Sequence, residues 1–251
     1  METNILYNED CEITLSKIGD KSVDLVVTSP PYNMRTRVSN NKYTTRENTK
    51  HFSKKYKHFD DALPIDEFYE LHSRILNELL RVSKIVCYNF QIVTGSKEAF
   101  FKIIGNFNTK IKDIIIWDKG YGQPAMHENV LNSVYEMILV MEDDNKLGRL
   151  IQNAKFSRGE MDNVFRVQRD KTQTDVNGAL FPEKLAAKLI EAFSSEGDVV
   201  YDPFTGSGTT PAVCEKLNRK WIGSELVEEQ YNQAIKRLEP LRHNLFTNTL
   251  K

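Results

Sequence analysis

Val199-Val200-Tyr201-Asp202-Pro203-Phe204-Thr205-Gly206-Ser207-Gly208-Thr209-Thr210 is the stretch on which the fold turns. Its first residues read as a short buried strand, and Ala212, Val213 and Leu217 beyond it read as a helix. Between them, glycines let the backbone turn tightly and approach a ligand with no Cβ in the way. The helix start presents free N–H groups to an anion or a carboxylate. No Gly-Lys-Ser/Thr follows, which argues against a P-loop, and the third glycine of a dinucleotide fingerprint is missing. What remains is Asp202, able to hold an amine, beside N–H groups able to hold a carboxylate, and an amino acid moiety offers both charges. Glu225, at the end of the next strand (Trp221–Gly223), is placed for the two hydroxyls of a ribose. Amine, carboxylate and ribose together describe S-adenosylmethionine better than NAD.

Working outward, apolar runs alternate with helical spacing. Strands are expected at Ile5–Tyr7, Val23–Val27, Lys84–Phe90, Ile111–Trp117 and Val134–Met141. Helices are expected after Asp10, after Pro64 (Phe68, Leu71, Ile75, Leu76, Leu79, Val82), around Phe100, after Pro182 (Leu185, Ala186, Leu189, Ile190, Phe193) and around Ala234. The alternation predicts an α/β fold with a doubly wound, mostly parallel sheet, and the pair 111–117 and 134–141 predicts an antiparallel hairpin at its edge. Leu241–Lys251 carries no pattern.

The second informative turn is Thr28-Ser29-Pro30-Pro31-Tyr32-Asn33. Two prolines cannot continue a ladder, and the first pushes Ser29 out of the helical region. The chain therefore leaves its strand in a stiff turn carrying a hydroxyl, a carbonyl and an aromatic ring. Ser29 Oγ and the Pro30 carbonyl can accept from an amino group, a preorganised polar site of the kind that stabilises developing charge. Pro31 helps fix the backbone, and Tyr32 offers a face for stacking a base. If the strands before the two turns are neighbours, both turns meet at the carboxyl edge of the sheet.

Composition sets outer bounds. With 251 residues, 40% hydrophobic and 27% charged, the chain suits one α/β domain. No apolar run is long enough to span a bilayer, and the N-terminus lacks the marks of a signal peptide. The three cysteines are scattered, without zinc or disulfide spacing, and no metal is expected. A cytoplasmic location, in a prokaryote or encoded by a phage, is the expectation. A net charge of -1 means that any nucleic-acid contact must come from a local patch.

"TSPPYN" (28–33) and "DPFTGSGTT" (202–210) resemble the catalytic and cofactor motifs of the amino-group DNA methyltransferases, in the permuted order called the β class. "LFPEKLAAKLI" (180–190), "RKWIGSELVEEQYNQAIKRL" (219–238) and the segment around Asp10-Cys11 match further parts of that family, in order. The resemblance implies the S-adenosylmethionine-dependent methyltransferase fold and S-adenosylhomocysteine as product. Cofactor residues would be Asp10, Cys11, Thr28, Phe181, Pro182, Asp202, Pro203, Phe204, Gly206, Ser207, Gly208, Thr209, Thr210 and Glu225. Ser29, Pro30, Pro31 and Tyr32 would act on a base flipped out of duplex DNA. In the family, Ser-Pro-Pro-Tyr goes mainly with cytosine N4, and Asp- or Asn-Pro-Pro-Tyr with adenine N6, so Ser29 points to N4-methylcytosine. Adenine N6, an RNA or a protein amide are the alternative substrates. Where members often carry His-Pro-Ala before Phe-Pro, this chain has Asn177-Gly178-Ala179, so no histidine is assigned there.

Two polar stretches interrupt the single domain. Residues 34–60 read as a mobile basic loop, with Arg35, Arg37, Lys54, Lys55 and Lys57 as candidate DNA contacts and aromatics between them. Residues 142–178 occupy the family's target-recognition position. Double-stranded DNA is the expected partner; so short a recognition segment calls for help from the first loop or from a second copy of the chain, and a restriction–modification role would add a cognate restriction endonuclease. His72, Trp117 and Trp221 read as structural, and Cys11 as a small buried residue.

Overall fold

The structure, a computed structural model, describes residues 1–33, 38–39, 42–43, 63–93, 95–122, 128–144, 148–168 and 181–248. The five candidate DNA contacts and most of the 34–60 stretch lie outside these residues.

In chain order the elements are β1 Ile5–Tyr7, α1 Cys11–Lys17, β2 Val23–Thr28, β3 Val38–Ser39, β4 Lys42–Tyr43, α2 Ile65–Val82, β5 Ser83–Phe90 and α3 Lys97–Asn106. There follow β6 Ile111–Asp118, β7 Tyr135–Met141, β8 Val164–Arg166, α4 Glu183–Phe193, β9 Val199–Asp202, α5 Thr209–Lys216, β10 Lys220–Ser224 and α6 Glu228–Asn248. Eight strands form one sheet in the order β1-β10-β9-β2-β5-β7-β6-β8, while β3 and β4 pair separately as a short antiparallel ladder. Within the large sheet only β7 runs against the rest, antiparallel to both β5 and β6. The expected hairpin is present, and one further strand lies beyond it. β8 pairs parallel with β6, Trp117 opposite Phe165, and so forms the actual edge. A three-residue strand inside a mixed polar segment carries too little periodicity to be read from sequence.

Side chains alternate across the central strands, as a sheet covered on both faces requires. Leu25, Val27, Ile85 and Cys87 pack with α4, α5 and α6, through Leu185, Leu189, Ala212 and Ala234. Val26, Val86 and Tyr88 pack with α1, α2 and α3, through Leu15, Phe68, Leu76 and Phe100. His72 lies wholly inside the second layer, its ring against Phe68, Phe100 and Tyr88, with Nδ1 bonded to the Tyr88 hydroxyl. Burial pushes its imidazole down to about 3, so it stays neutral and structural. Trp117 and Trp221 are likewise core residues, each with its indole N–H satisfied, by the Val167 carbonyl and by Glu215. The last helix runs on through Pro240 to Asn248, where the sequence shows no pattern. Periodicity reports which face is buried, not how far a helix continues past its packed turns.

β2 and β9 are adjacent and parallel, Leu25 opposite Val200 and Val26 opposite Tyr201. From β9 the chain crosses through α5 to β10 on one side, and from β2 through α2 to β5 on the other. The winding reverses between these two strands, which opens a crevice at their carboxyl ends. No helix among the described residues is long and apolar enough to cross a membrane.

Candidate active site

A cavity of about 210 Å³ lies at this crevice. It is many times the roughly 10–15 Å³ that one water requires. Its walls come from four turns: Glu9–Cys11 after β1, Ser29–Pro31 after β2, Asp202–Ser207 with Thr209 and Thr210 after β9, and Glu225–Val227 after β10. Phe181, Leu71, Ile75 and Gln230 complete it. Residues 174 positions apart thus share one cavity, and Thr28 Oγ1 donates to Asp202 Oδ1 at 2.7 Å across the β2–β9 seam. Among the residues expected from sequence, Thr28, Tyr32, Pro182 and Gly208 do not line the cavity. Thr28 is buried behind Asp202, and Pro182 is the extended residue that starts α4. Glu9, Leu71, Ile75, Thr205, Leu226, Val227 and Gln230 line it without having been singled out.

Asp202 is almost wholly buried, and burial pushes its carboxyl up to about 6. Hydrogen bonds from Thr28, Thr210 and the Phe204 N–H only partly oppose that shift. A buried acid so disposed gains from a cation. Beside it, the Ser207 hydroxyl is buried and has no partner among the described residues. Glu225 Oε2 accepts from Gly206 N and its Oε1 from Val227 N, both at 2.8 Å. Each oxygen retains a lone pair for a further donor. Glu225 is also shifted up, chiefly by burial. Behind the loop, Arg237 donates to Thr209 Oγ1 at 3.0 Å and to Glu183 Oε1 at 2.7 Å, tying the loop to α4.

Two glycines shape this loop without touching the cavity. Gly208 starts α5 with φ +84°, and a Cβ there would lie 3.0 Å from Ala234 Cβ. Gly223 on β10 has an ordinary backbone, but its Cβ would fall 2.5 Å from Thr205 Oγ1 and 2.7 Å from Leu6 Cδ1. The expected effect of Gly223→Ala is a loss of roughly 1–3 kcal/mol from overpacking, read by urea denaturation. A variant as stable as the parent would show that the loop yields freely.

The Ser29 turn stands on a buried polar network. Ser29 Oγ lies 2.7 Å from the Tyr32 hydroxyl, which donates to Glu136 Oε2 at 3.0 Å. Asn89, at the end of β5, directs its Nδ2 at Tyr32 (2.6 Å), Glu136 (2.8 Å) and Ser29 (3.2 Å). Glu136 also pairs with Lys119 at 3.2 Å, and these two side chains are only 4% and 2% exposed. A carboxylate only accepts, and a phenol has one proton. With the Tyr32 proton on Glu136, Ser29 is the donor to Tyr32, and its lone pairs are left for Asn89 and for a ligand at the cavity. Asn89, Lys119 and Glu136 were not anticipated, although a lone polar residue inside an apolar run, as in "YNF" and "YEMILVM", marks a buried group that needs a partner. Next along the chain, Asn33 (φ +54°) is buried and donates to the carbonyls of Leu63 and Gly95, both at 3.0 Å. It thereby ties the end of the Ser29 turn to Leu63 and to Gly95. In the second polar stretch, Arg149 is paired with Asp113 and Arg166 faces Asp118 at 3.8 Å.

A family model described as DNA methylase, of the N6/N4 methyltransferase type, matches residues 23–236. The chain belongs to this family. The type II methyltransferase M.BglII of Bacillus subtilis is 27% identical, over 98% of this chain and 72% of its own length. The solved structure of the PvuII DNA methyltransferase, described as cytosine-N4-specific, superposes with a TM-score of 0.68 at 16% identity. That match covers 94% of this chain and 86% of the other. M1.HpyAVI in its SAM complex gives a TM-score of 0.60 at 19% identity, over 93% and 98% of the two chains. At these identities the structural likeness speaks to the fold, and it agrees with the sheet described above.

Proposed function

We propose that this chain transfers a methyl group from S-adenosylmethionine to the exocyclic N4 amine of a cytosine flipped out of double-stranded DNA. The reading is carried by one observation: the Ser29–Pro31 turn and the Asp202–Thr210 loop wall a single cavity. DNA methylation is the family's reaction, and the cofactor is S-adenosylmethionine. The residues present fit it. Buried Asp202 suits the amine, the N–H groups at the start of α5 and the unpartnered Ser207 hydroxyl suit the carboxylate, and Glu225 suits ribose hydroxyls. Asp10, Cys11, Phe181, Pro203 and Phe204 line the remainder.

When bound, the cofactor supplies an electrophilic methyl group on a sulfonium. The protein's task is to make a poor nucleophile attack it. An exocyclic base amine has its lone pair delocalised into the ring. Two acceptors on its N–H groups, Ser29 Oγ and the Pro30 carbonyl, draw the nitrogen towards sp³ geometry and free that pair. Prolines 30 and 31 prevent the carbonyl from turning away. The Tyr32 ring, anchored by its hydroxyl, offers a stacking face, worth roughly 1–3 kcal/mol by analogy with other base–aromatic stacks. Transfer then depends on proximity and orientation.

Ser29, in place of an acid or amide, favours cytosine over adenine. Phosphate and base contacts are assigned to the basic 34–60 stretch, through Arg35, Arg37, Lys54, Lys55 and Lys57, and to residues 142–178 as the target-recognition segment. The site of action is cytoplasmic DNA, in keeping with a bacterial relative. The test is incubation with labelled S-adenosylmethionine and mixed-sequence duplex DNA, followed by sequencing that locates the modified base. N4-methylcytosine at a defined site is expected. N6-methyladenine alone would overturn the choice of base, and no transfer at all would overturn the activity.

A further inference from the structure

The reaction proposed above leaves one proton to be placed, and we propose that buried Glu136 receives it by way of Ser29 and Tyr32. The inference rests on the methyl-transfer reading. As the amine lone pair forms the new N–C bond, the C–S bond breaks and its electron pair stays on sulfur. The nitrogen then carries one proton more than the neutral product. That cation is a strong acid, because losing the proton restores conjugation with the ring, so even an ion-paired carboxylate outcompetes it. The proton passes to Ser29 Oγ, the Ser29 proton passes to the Tyr32 oxygen, and the Tyr32 proton passes to Glu136 Oε2. The Ser29–Tyr32 and Tyr32–Glu136 separations are 2.7 and 3.0 Å. One proton enters the line and one arrives, leaving Glu136 a carboxylic acid beside the Lys119 cation. Release to solvent after the product departs restores the start.

Three features support this direction. The line already has the right polarity, since Tyr32 donates to Glu136 and Ser29 to Tyr32. Asn89 touches all three oxygens with its amide nitrogen, which orients the hydroxyls but cannot take up a proton. Finally, a buried ion pair is a poor device for stability, because apolar side chains of the same volume often serve as well or better. Glu136 and Lys119 are both buried, and the pair sits where the strand-end network meets the cavity turn.

The experiment compares Glu136→Gln with the double variant Glu136→Gln/Lys119→Met, which removes both charges of the pair. Single-turnover methyl transfer and cofactor affinity are measured on each. The Tyr32 ionisation is followed by ¹³Cζ-tyrosine NMR in the cofactor-free protein and assigned with Tyr32→Phe. Both variants are expected to transfer methyl roughly 10²-fold more slowly, the lower end for lost proton transfer, with cofactor affinity within about twofold. The Tyr32 resonance in Glu136→Gln is expected to titrate at lower pH, because the neighbouring negative charge is gone. Recovery of the parental rate in the double variant would show a purely structural pair and overturn the relay. So would an unchanged rate in Glu136→Gln, with the proton passing straight to solvent, or a Tyr32 titration that does not move. Failure of the unsubstituted protein to methylate DNA would instead remove the methyl-transfer reading itself.

Discussion

Asp202→Asn is expected to weaken S-adenosylmethionine binding by roughly 10²–10³-fold, in line with the cost of removing one partner of a buried charge pair. The amide keeps the shape and can still accept from Thr28 and Phe204, so the loss reports charge rather than collapse. The same residue sets a pH dependence. In the cofactor-free protein burial raises Asp202 to about 6. An ammonium group prefers the carboxylate, so affinity is level above that pH and falls below it, by up to about tenfold per pH unit. Isothermal titration between pH 5 and 7.5 tests this, and the slope should vanish in Asp202→Asn. The stability consequence has the opposite sense. A carboxyl whose folded value lies above its unfolded value of 3.8 favours the folded state in acid, and that advantage is lost as pH rises through 6. Above pH 6 the cofactor-free protein therefore carries a strain of about 3 kcal/mol, which Asp202→Asn relieves. Cofactor binding and cofactor-free stability should move in opposite directions in this one variant. A loss of both would assign Asp202 to the framework instead.

Ser29→Ala is expected to lower the rate of methyl transfer by roughly 10²–10³-fold, the range found when one preorganised hydrogen-bonding partner of a reacting group is removed. Cofactor affinity should stay within about twofold, since the contacts of Ser29 Oγ within the protein are Tyr32 and Asn89. Folding should be little affected, because Tyr32 and Asn89 keep their bonds to Glu136. Single-turnover rates at saturating cofactor, with thermal unfolding alongside, separate these quantities. A fall of less than about threefold would leave the Pro30 carbonyl as the sole acceptor of consequence. It would also remove the basis for reading the target base from this residue.

The cavity loop is the more legible half of the proposed site. Asp202, Gly206, Ser207, Thr209 and Thr210 occur in one run, and all of them line the cavity. A loop between a strand and a helix carries its geometry in its own residues. Glu225 was legible too, as an acid at a strand end, although the structure shows it also clamping the Gly206 and Val227 N–H groups. Thr28 and Gly208, expected as contacts, do not line the cavity and stand behind the loop, one bonded to Asp202 and the other packed on Ala234. A motif identifies which residues matter together, not which of them face the ligand. Leu71 and Ile75 illustrate the opposite limit, since their helical spacing marks them as core and nothing local says that the core there borders a cavity.

By itself the sequence determined the alternation of strands and helices, the two turns and the chemistry each can offer. These are short-range properties, set by side-chain period, by the missing N–H of proline and by the freedom of glycine. Only the tertiary structure decided that the two turns meet. The meeting depends on β2 and β9 pairing as neighbours and on the winding reversing between them. It also decided that Asn89, Lys119 and Glu136, from the ends of β5, β6 and β7, gather beneath Ser29 and Tyr32. Strand order brings those groups together, and no local pattern encodes strand order, because each strand is buried by the same kind of apolar alternation whichever neighbour it takes.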